Sequence, residues 1–575
     1  MKTETKNCQN CKKDFTIDSE DFNFYEKIKV PPPTWCPECR QQRRYAWRNE
    51  RTLYRRNCNL CGKSTVTIYS ANKPHKVYCN ECWWGDGWDA ASYGQDFDFS
   101  RPFFEQFHEL QLKVPRMALL NKRSVNSEYT NHSADNKNAY LSFSIWDGEN
   151  IFYSTWIMRN SRDCFDCSYI YESGERLYEI IDSRKSYQCQ FGIFLKDCIN
   201  CYYSYDMHGC SNCFMSHNLR NQSYYFKNVK YSLEEYQAKI VEYELGSWKI
   251  RENLYKEYIG MLQNSAIRKY AIIERSVNST GNMIFDSKNS RNCFEIDKNE
   301  DCRYLYSALE DKNSMDLYHV GYNVELCYES QGCTRISNCQ FCHLCYDNMN
   351  VSYSDTCQNS QNLFGCVSVK KGEYMIFNKK YSKDEYEKLK AEIIEHMKKT
   401  GEYGEFFPPA ISPIGYNETQ GNFYMPMDKT EVLKKGWQWE DNIPGTFGKE
   451  TIAPEDIPDK ITDVIDNITK EVLKCGNCNK NYNIVPFELS VYRRENIPIP
   501  RLCPNCRYKQ RFDLRFPRNL WPGRCKCDKT NHGHTGLCPN EFETPYAPDS
   551  PRSNSGEAGR PEKVYCESCY NKEVY

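Results

Sequence analysis

Through the middle of this chain, polar and apolar positions repeat on a short step. Successive units read KNAYLSFS (137–144), ENIFYSTW (149–156), RDCFDCSY (162–169), RKSYQCQF (184–191), KDCINCYY (196–203) and HGCSNCFM (208–215). A second series reads SRNCFEID (290–297), NEDCRYLY (299–306), DKNSMDLY (311–318), ISNCQFCH (336–343) and SQNLFGCV (360–367). Each unit opens with a polar or turn residue, often Asn or Asp. A small or apolar residue follows, and a Cys, Ser or aromatic sits three later. Short strands with turn residues at this spacing predict an all-β region. Equal spacing over many units predicts a parallel β-solenoid-like array, with two units per coil of roughly 24 residues.

The array is itself duplicated. Val125-Asn126-Ser127 opens the first half and Val277-Asn278-Ser279 the second; YYFKNVKYSLEEY (224–236) closes the first and YMIFNKKYSKDEY (374–386) the second. Each closing segment predicts an amphipathic helix, over about 233–259 and 383–399. Ser232 with Glu235 and Ser382 with Glu385 have capping-box spacing. Ser100 is the expected cap of a further helix bearing Phe103, Phe104, Phe107 and Leu110, docked on the first coil of the array. The stretch from about 403 to 460, rich in Pro and Gly, reads as an extended linker. The predicted fold class is mainly β with short helices. The expected order is a zinc cassette (1–90), a connecting helix (91–124), two array halves with closing helices (125–260 and 261–402), a linker (403–470) and a second cassette (471–575).

The two ends carry the candidate chemistry. Cys8, Cys11, Cys36, Cys39 and Cys58 recur as Cys475, Cys478, Cys503, Cys506 and Cys525, each shifted by 467 residues. Cys61, Cys79 and Cys82 match Cys538, Cys566 and Cys569 after two further insertions of ten residues each. Paired CxxC knuckles suit zinc, because four thiolates at about 2.3 Å make a closed tetrahedron. Four structural zinc ions are expected. Sequential pairing (8, 11, 36, 39, then 58, 61, 79, 82) and a cross-braced alternative (8, 11, 58, 61, then 36, 39, 79, 82) both fit the spacing. Cys527 is a spare thiol in the second cassette, and either His532 or His534 could replace a ligand there. The array cysteines, CINC (198–201), CSNC (210–213) and the haem-like CQFCH (339–343) included, follow the repeat step and read as a ladder of small buried side chains.

Arginines are duplicated with the ligands. Arg40, Arg44, Arg48 and Arg51 correspond to Arg507, Arg511, Arg515 and Arg518. Their spacing puts them on one face of a helix launched from the second knuckle, with Pro517 ending the second helix near Phe516. Seven arginines face one acidic residue between Arg40 and Arg56, although the chain's formal net charge is only -1. Such a stripe suits phosphate oxygens, or a helix face paired with acidic neighbours. Tyr45, Trp47, Trp83, Trp84 and Trp88 are candidates for base stacking or for the core.

The segments CQNCKKDFTIDSEDFNFYEKIKVPPPTWCPECRQQRR (8–44) and CGNCNKNYNIVPFELSVYRRENIPIPRLCPNCRYKQR (475–511) resemble the "probable zinc-ribbon" family of treble-clef type. The whole chain, including its tail KVYCESCYNKEVY, resembles uncharacterised multi-zinc-ribbon proteins found mainly in bacteria with reduced genomes. The resemblance implies zinc and a zinc-ribbon fold at both ends. It implies no activity.

The N-terminus MKTETKNC has no apolar leader, and no apolar run approaches the roughly 18 residues of a membrane span. Many CxxC thiols in such a chain point to reduced metal ligands in the cytoplasm. HExxH, P-loop, GxSxG and GxGxxG patterns are absent from the sequence. The reading is therefore a non-enzymatic zinc protein that binds RNA or ribonucleoprotein through its arginine stripes. A protein-binding scaffold whose cassettes cap the array ends is the alternative. An enzyme with an unrecognised site in an array groove comes third. No membrane partner or small-molecule substrate is indicated.

Overall fold

A computed structural model describes residues 3–547 and 562–575. It forms two compact units. One comprises residues 1–120 and 271–443, the other 121–270 and 444–575. The N-terminal cassette thus shares a unit with the second half of the array, and the C-terminal cassette with the first. Among the described residues, no helix is long and apolar enough to cross a membrane.

Each array half is one large sheet system, with 14 strands in the first and 11 in the second among the described residues. Pairing is parallel, except at each closing hairpin. The register steps by twelve, with occasional steps of thirteen: Ala139 pairs with Ile151, Ile151 with Cys164, and Cys201 with Cys213. One turn therefore takes one repeat unit. The expected coil of two units is corrected to a turn half as long.

The backbone explains how so few residues close a turn. From Asp135 to Arg159 every third residue is left-handed, with φ between 44° and 58°. That region is costly for L-residues and worst for β-branched ones. No Val or Ile occupies it anywhere among the described residues, and Thr356 is the only β-branched residue there. Asn and Asp tolerate it best, which is why the units open with them. The amides also stack. Asn126 donates to Asn138, Asn138 to Asn150 and Asn150 to Asp163, at 3.1, 3.1 and 2.8 Å. Asn338, Asn350 and Asn362 form a second such ladder.

The residue after each left-handed corner points inward. Ile145, Ile151 and Ile157, and again Cys164, Cys167 and Ile170, keep this period of three, with one extra residue between the two runs, and all are buried. A CxxC within the array is simply two successive inward positions. Ser and Cys are interchangeable there because both donate to carbonyls of the corner. Ser142 Oγ lies 3.1 Å from Tyr140 O and 3.1 Å from Ile151 O; Cys189 Sγ lies 3.3 Å from Tyr187 O and 3.7 Å from Cys198 O. Both capping boxes form. The first closing helix is broken into Leu233–Val241 and Trp248–Asn264, and the second spans Lys383–Thr400.

Two connecting segments differ from expectation. The helix Phe103–Lys113 lies on the second half of the array, where Phe103 meets Phe364 and Phe377. Its cap is not Ser100 but the Glu402 carboxylate, which accepts from the Phe103 and Phe104 amides at 2.8 Å each. The expected linker is an ordered strap, with Phe406, Phe407, Tyr416 and Val432 buried in the first unit and Ile457, Ile461 and Val464 in the second. Pro and Gly there shape a packed path rather than a free one.

The corner geometry makes a prediction at Asn350 (φ 56°), in the middle of its ladder. Asn350→Ala loses two hydrogen bonds and meets left-handed strain, together about 2–3 kcal/mol. Asn350→Gly loses only the bonds, so chemical denaturation should find it more stable than the Ala variant by about 1–2 kcal/mol.

Candidate metal centres and the arginine stripes

The terminal cysteines gather in four groups: Cys8/11/36/39, Cys58/61/79/82, Cys475/478/503/506 and Cys525/538/566/569. The grouping is sequential, not cross-braced. Each group could hold a metal ion. Thiolates at about 2.3 Å from a central ion stand about 3.8 Å apart along a tetrahedral edge. Cys11–Cys36, Cys61–Cys79, Cys478–Cys503 and Cys538–Cys566 lie at 3.7, 3.9, 3.7 and 4.0 Å. A disulfide would need about 2.05 Å, and all 33 cysteines are free. The array cysteines belong to no such group among the described residues.

Local structure builds the centres on a common plan. A CxxC knuckle supplies the first pair in three centres, and Cys525 with Cys538, thirteen residues apart, supplies it in the fourth. In all four the third cysteine is the N-cap of a short helix: Cys36, Cys79, Cys503 and Cys566 precede Pro37–Tyr45, Asn80–Trp84, Pro504–Asp513 and Glu567–Val574. The amide of that cysteine donates back to the first thiol in every centre, at 3.2–3.3 Å. Such donors favour thiolate over thiol. Burial opposes ionisation of Cys8, yet the amides of Cys11, Cys36 and Asn10 outweigh it and bring the thiol down to about 7. Cys58 falls to about 6 for the same reasons, with the amides of Cys61, Cys79 and Leu60 acting. An ion held by all four thiolates of such a cluster would have no position for a reacting water.

The arginines occupy a different place from the one expected. Arg40, Arg44 and Arg48 are at most 2% exposed, and Arg507, Arg511, Arg515 and Arg518 at most 8%. Of the N-terminal stripe, only Arg40 and Arg44 lie on the cassette helix, which ends at Tyr45; Arg48 and the half-exposed Arg51 follow it. The second helix ends at Asp513, before Pro517, so Arg515 and Arg518 also lie beyond it. Arg40 Nε donates to Asp316 at 2.9 Å, while Arg44 bridges Glu329 at 2.7 Å and Asp316 at 3.0 Å. Arg507 Nε donates to Asp166 at 2.9 Å, and Arg511 bridges Asp166 at 2.9 Å and Glu179 at 3.1 Å. Arg515 reaches Asp182 at 3.4 Å and lies over the Tyr169 ring. Burial alone would weaken the charge on Arg44, but the Glu329 and Asp316 carboxylates hold its pKa above the ordinary value. Guanidiniums enclosed in this way are not presented to a nucleic-acid backbone.

The five array carboxylates that these arginines meet sit at left-handed corners: Asp166, Glu179, Asp182, Asp316 and Glu329 have φ between 42° and 58°, whereas Arg48 pairs with Glu50 of its own cassette at 2.6 Å. Asp166 and Glu179 recur as Asp316 and Glu329 at an offset of 150 residues. The array therefore repeats the acids just as the cassettes repeat the arginines. Each cassette helix meets successive turns on the flank of its array half, not an open end.

Sequence reasoning missed Arg43, which joins Glu329 at 2.9 Å and Glu405 at 2.5 Å. Its counterpart is Gln510, so the duplication gave no signal for it. The candidate stacking rings Tyr45, Trp47 and Trp83 are core residues, and Trp84 and Trp88 are half-buried beside them.

Compared with known proteins, the chain matches no family, no curated protein and no solved structure. The likeness to zinc ribbons rests on the four cysteine clusters alone.

Metal removal tests this architecture. Zinc stabilises modules of this size by about 10–16 kcal/mol, whereas each array half has its own inward-facing core. A strong chelator should abolish hydrogen-exchange protection over residues 8–82 and 475–547 and leave most of the far-UV β signal. Complete loss of that signal would make the arrays dependent on the cassettes.

Proposed function

We propose that the chain is a non-enzymatic, cytoplasmic zinc protein that works as a protein-binding scaffold. In this reading, zinc cassettes brace the flanks of two β-solenoid halves. The observation that carries it is the enclosure of Arg40, Arg44, Arg507, Arg511 and Arg515 in ion pairs with array carboxylates. Those are the residues a polyanion would need. The outer rows of the arrays support the same reading, because their signs alternate. Lys137 meets Glu149 at 2.7 Å and Arg162 meets Glu149 at 3.9 Å; Lys288 and Lys312 flank Glu300 at 3.5 and 3.6 Å. A surface that binds nucleic acid through its backbone gathers one sign. Mixed ladders suit a protein partner with its own mixed charges.

The reading is tested at Arg44 and Arg511. Removing one side of a buried pair leaves the other charge uncompensated, at about 3–5 kcal/mol. Arg44→Met and Arg511→Met should each lower unfolding stability by about that amount. Titration of the parent with mixed RNA and single-stranded DNA at low salt should give no affinity better than millimolar. Tighter binding that weakens with salt, at a log–log slope of about -0.7 to -0.9 per phosphate contact, and that is lost in these variants while stability is kept, would replace the scaffold with RNA or ribonucleoprotein binding.

A further inference from the structure

The insertion between Cys525 and Cys538 brings a second set of metal-ligating groups against the fourth cluster. Cys527 has no counterpart in the N-terminal cassette, where Leu60 stands at that position and is exposed. Here the thiol is fully buried, with its Sγ 3.1 Å from His532 Nδ1. His534 Nε2 stands 3.5 Å from Cys569 Sγ. The four donor atoms of Cys527, His532, His534 and Cys569 all lie within 4.8 Å of one another. An ion at about 2.3 Å from sulfur and 2.0–2.1 Å from nitrogen would space such donors by about 3.6 Å along a tetrahedral edge.

Both imidazoles are oriented as ligands are. The outer nitrogen of a metal-bound histidine is usually held by a carbonyl or a carboxylate. His534 Nδ1 lies 2.9 Å from Gly536 O, which turns Nε2 toward Cys569. His532 Nε2 faces Glu573 Oε1 at 3.1 Å, an ion-pair distance without hydrogen-bond geometry, and its Nδ1 faces Cys527. Gly533 and Gly536 take φ of 85° and 66°, so the loop can double back and bring both rings to one side. Lys572 Nζ donates to His532 O at 2.6 Å and ties the loop to the last helix.

We propose that the last cluster of the C-terminal cassette binds a pair of zinc-like ions, the second held by Cys527, His532, His534 and Cys569, with the Cys569 thiolate bridging to the ion of Cys525, Cys538 and Cys566. The sharing follows from Cys569 lying in both donor groups. It gives each ion four ligands and leaves no open position, so the second ion is structural. A shared thiolate and two neutral imidazoles also lower the net negative charge carried per ion. The ion's role is to pin an insertion that has few apolar side chains of its own. This inference rests on the cassette clusters being metal sites.

Native mass spectrometry of the zinc-loaded full chain tests it. The parent should carry five zinc ions, one for each donor group. Cys527→Ser and His534→Ala should each carry four, while His534→Cys, which keeps a ligand, should carry five. If Cys527→Ser does not fold, the His534 pair decides alone, since that side chain is partly exposed. A parent with four ions, whether or not the variants lose one, overturns the shared pair and leaves the four cassette sites intact. A parent with fewer than four removes the cassette reading itself, and this inference with it.

Discussion

A left-handed residue at every third position is the constraint on which both array halves depend. It bends the chain tightly enough to close a turn within twelve residues, and it sends the following side chain inward. Each corner costs an ordinary residue about 1–2 kcal/mol. The parallel register offsets that cost, because turns above and below take up the backbone groups. From this geometry follow the exclusion of Val and Ile from the corners, the amide ladders on the outside, and the Ser and Cys inside that answer corner carbonyls. The many array cysteines are small inward residues that can donate weakly. They need no redox or metal role to account for them.

The same corners receive the cassettes. A carboxylate on a left-handed corner projects outward from the turn, and two on neighbouring turns stand close enough to share an arginine fork. Buried ion pairs add little net stability compared with a well-fitted apolar contact, yet leaving one partner alone is costly. Their value here is selection of register. Arg40 and Arg44 satisfy Asp316 and Glu329 only where those turns meet the helix. The second copy repeats the arrangement with Arg507, Arg511, Asp166 and Glu179. One slip along the array would strand four charges in the interior.

Much of this was legible in the sequence, and the rest was hidden for identifiable reasons. The sixteen cassette cysteines could be found because a four-cysteine cluster that could hold a metal ion needs paired ligands at short spacing, and the duplication fixed their correspondence. The closing capping boxes were visible as local motifs. The length of a turn was not, because a period of three with left-handed corners lies outside the period-two pattern of ordinary strands. Nor could the assignment of each cassette to the distant array half be seen, since duplicated halves offer the same acids to either copy. The Glu402 cap is of the same kind: the helix it serves begins some three hundred residues earlier.

The arginine stripe shows why a basic run is weak ground for inferring a polyanionic partner. A run of arginines states only that acceptors must exist somewhere, and the chain itself can supply them. Here the decisive signal was available in the acids. Asp166 with Glu179, and Asp316 with Glu329, stand one turn apart at matching positions of two repeats. Carboxylates placed at matched corners beside aromatic neighbours, in an array otherwise built on small and apolar inward residues, imply a cationic partner that docks in register. Their number and spacing fit the arginines on each cassette helix. Duplicated charge of one sign is therefore best weighed against duplicated charge of the other before an external ligand is invoked.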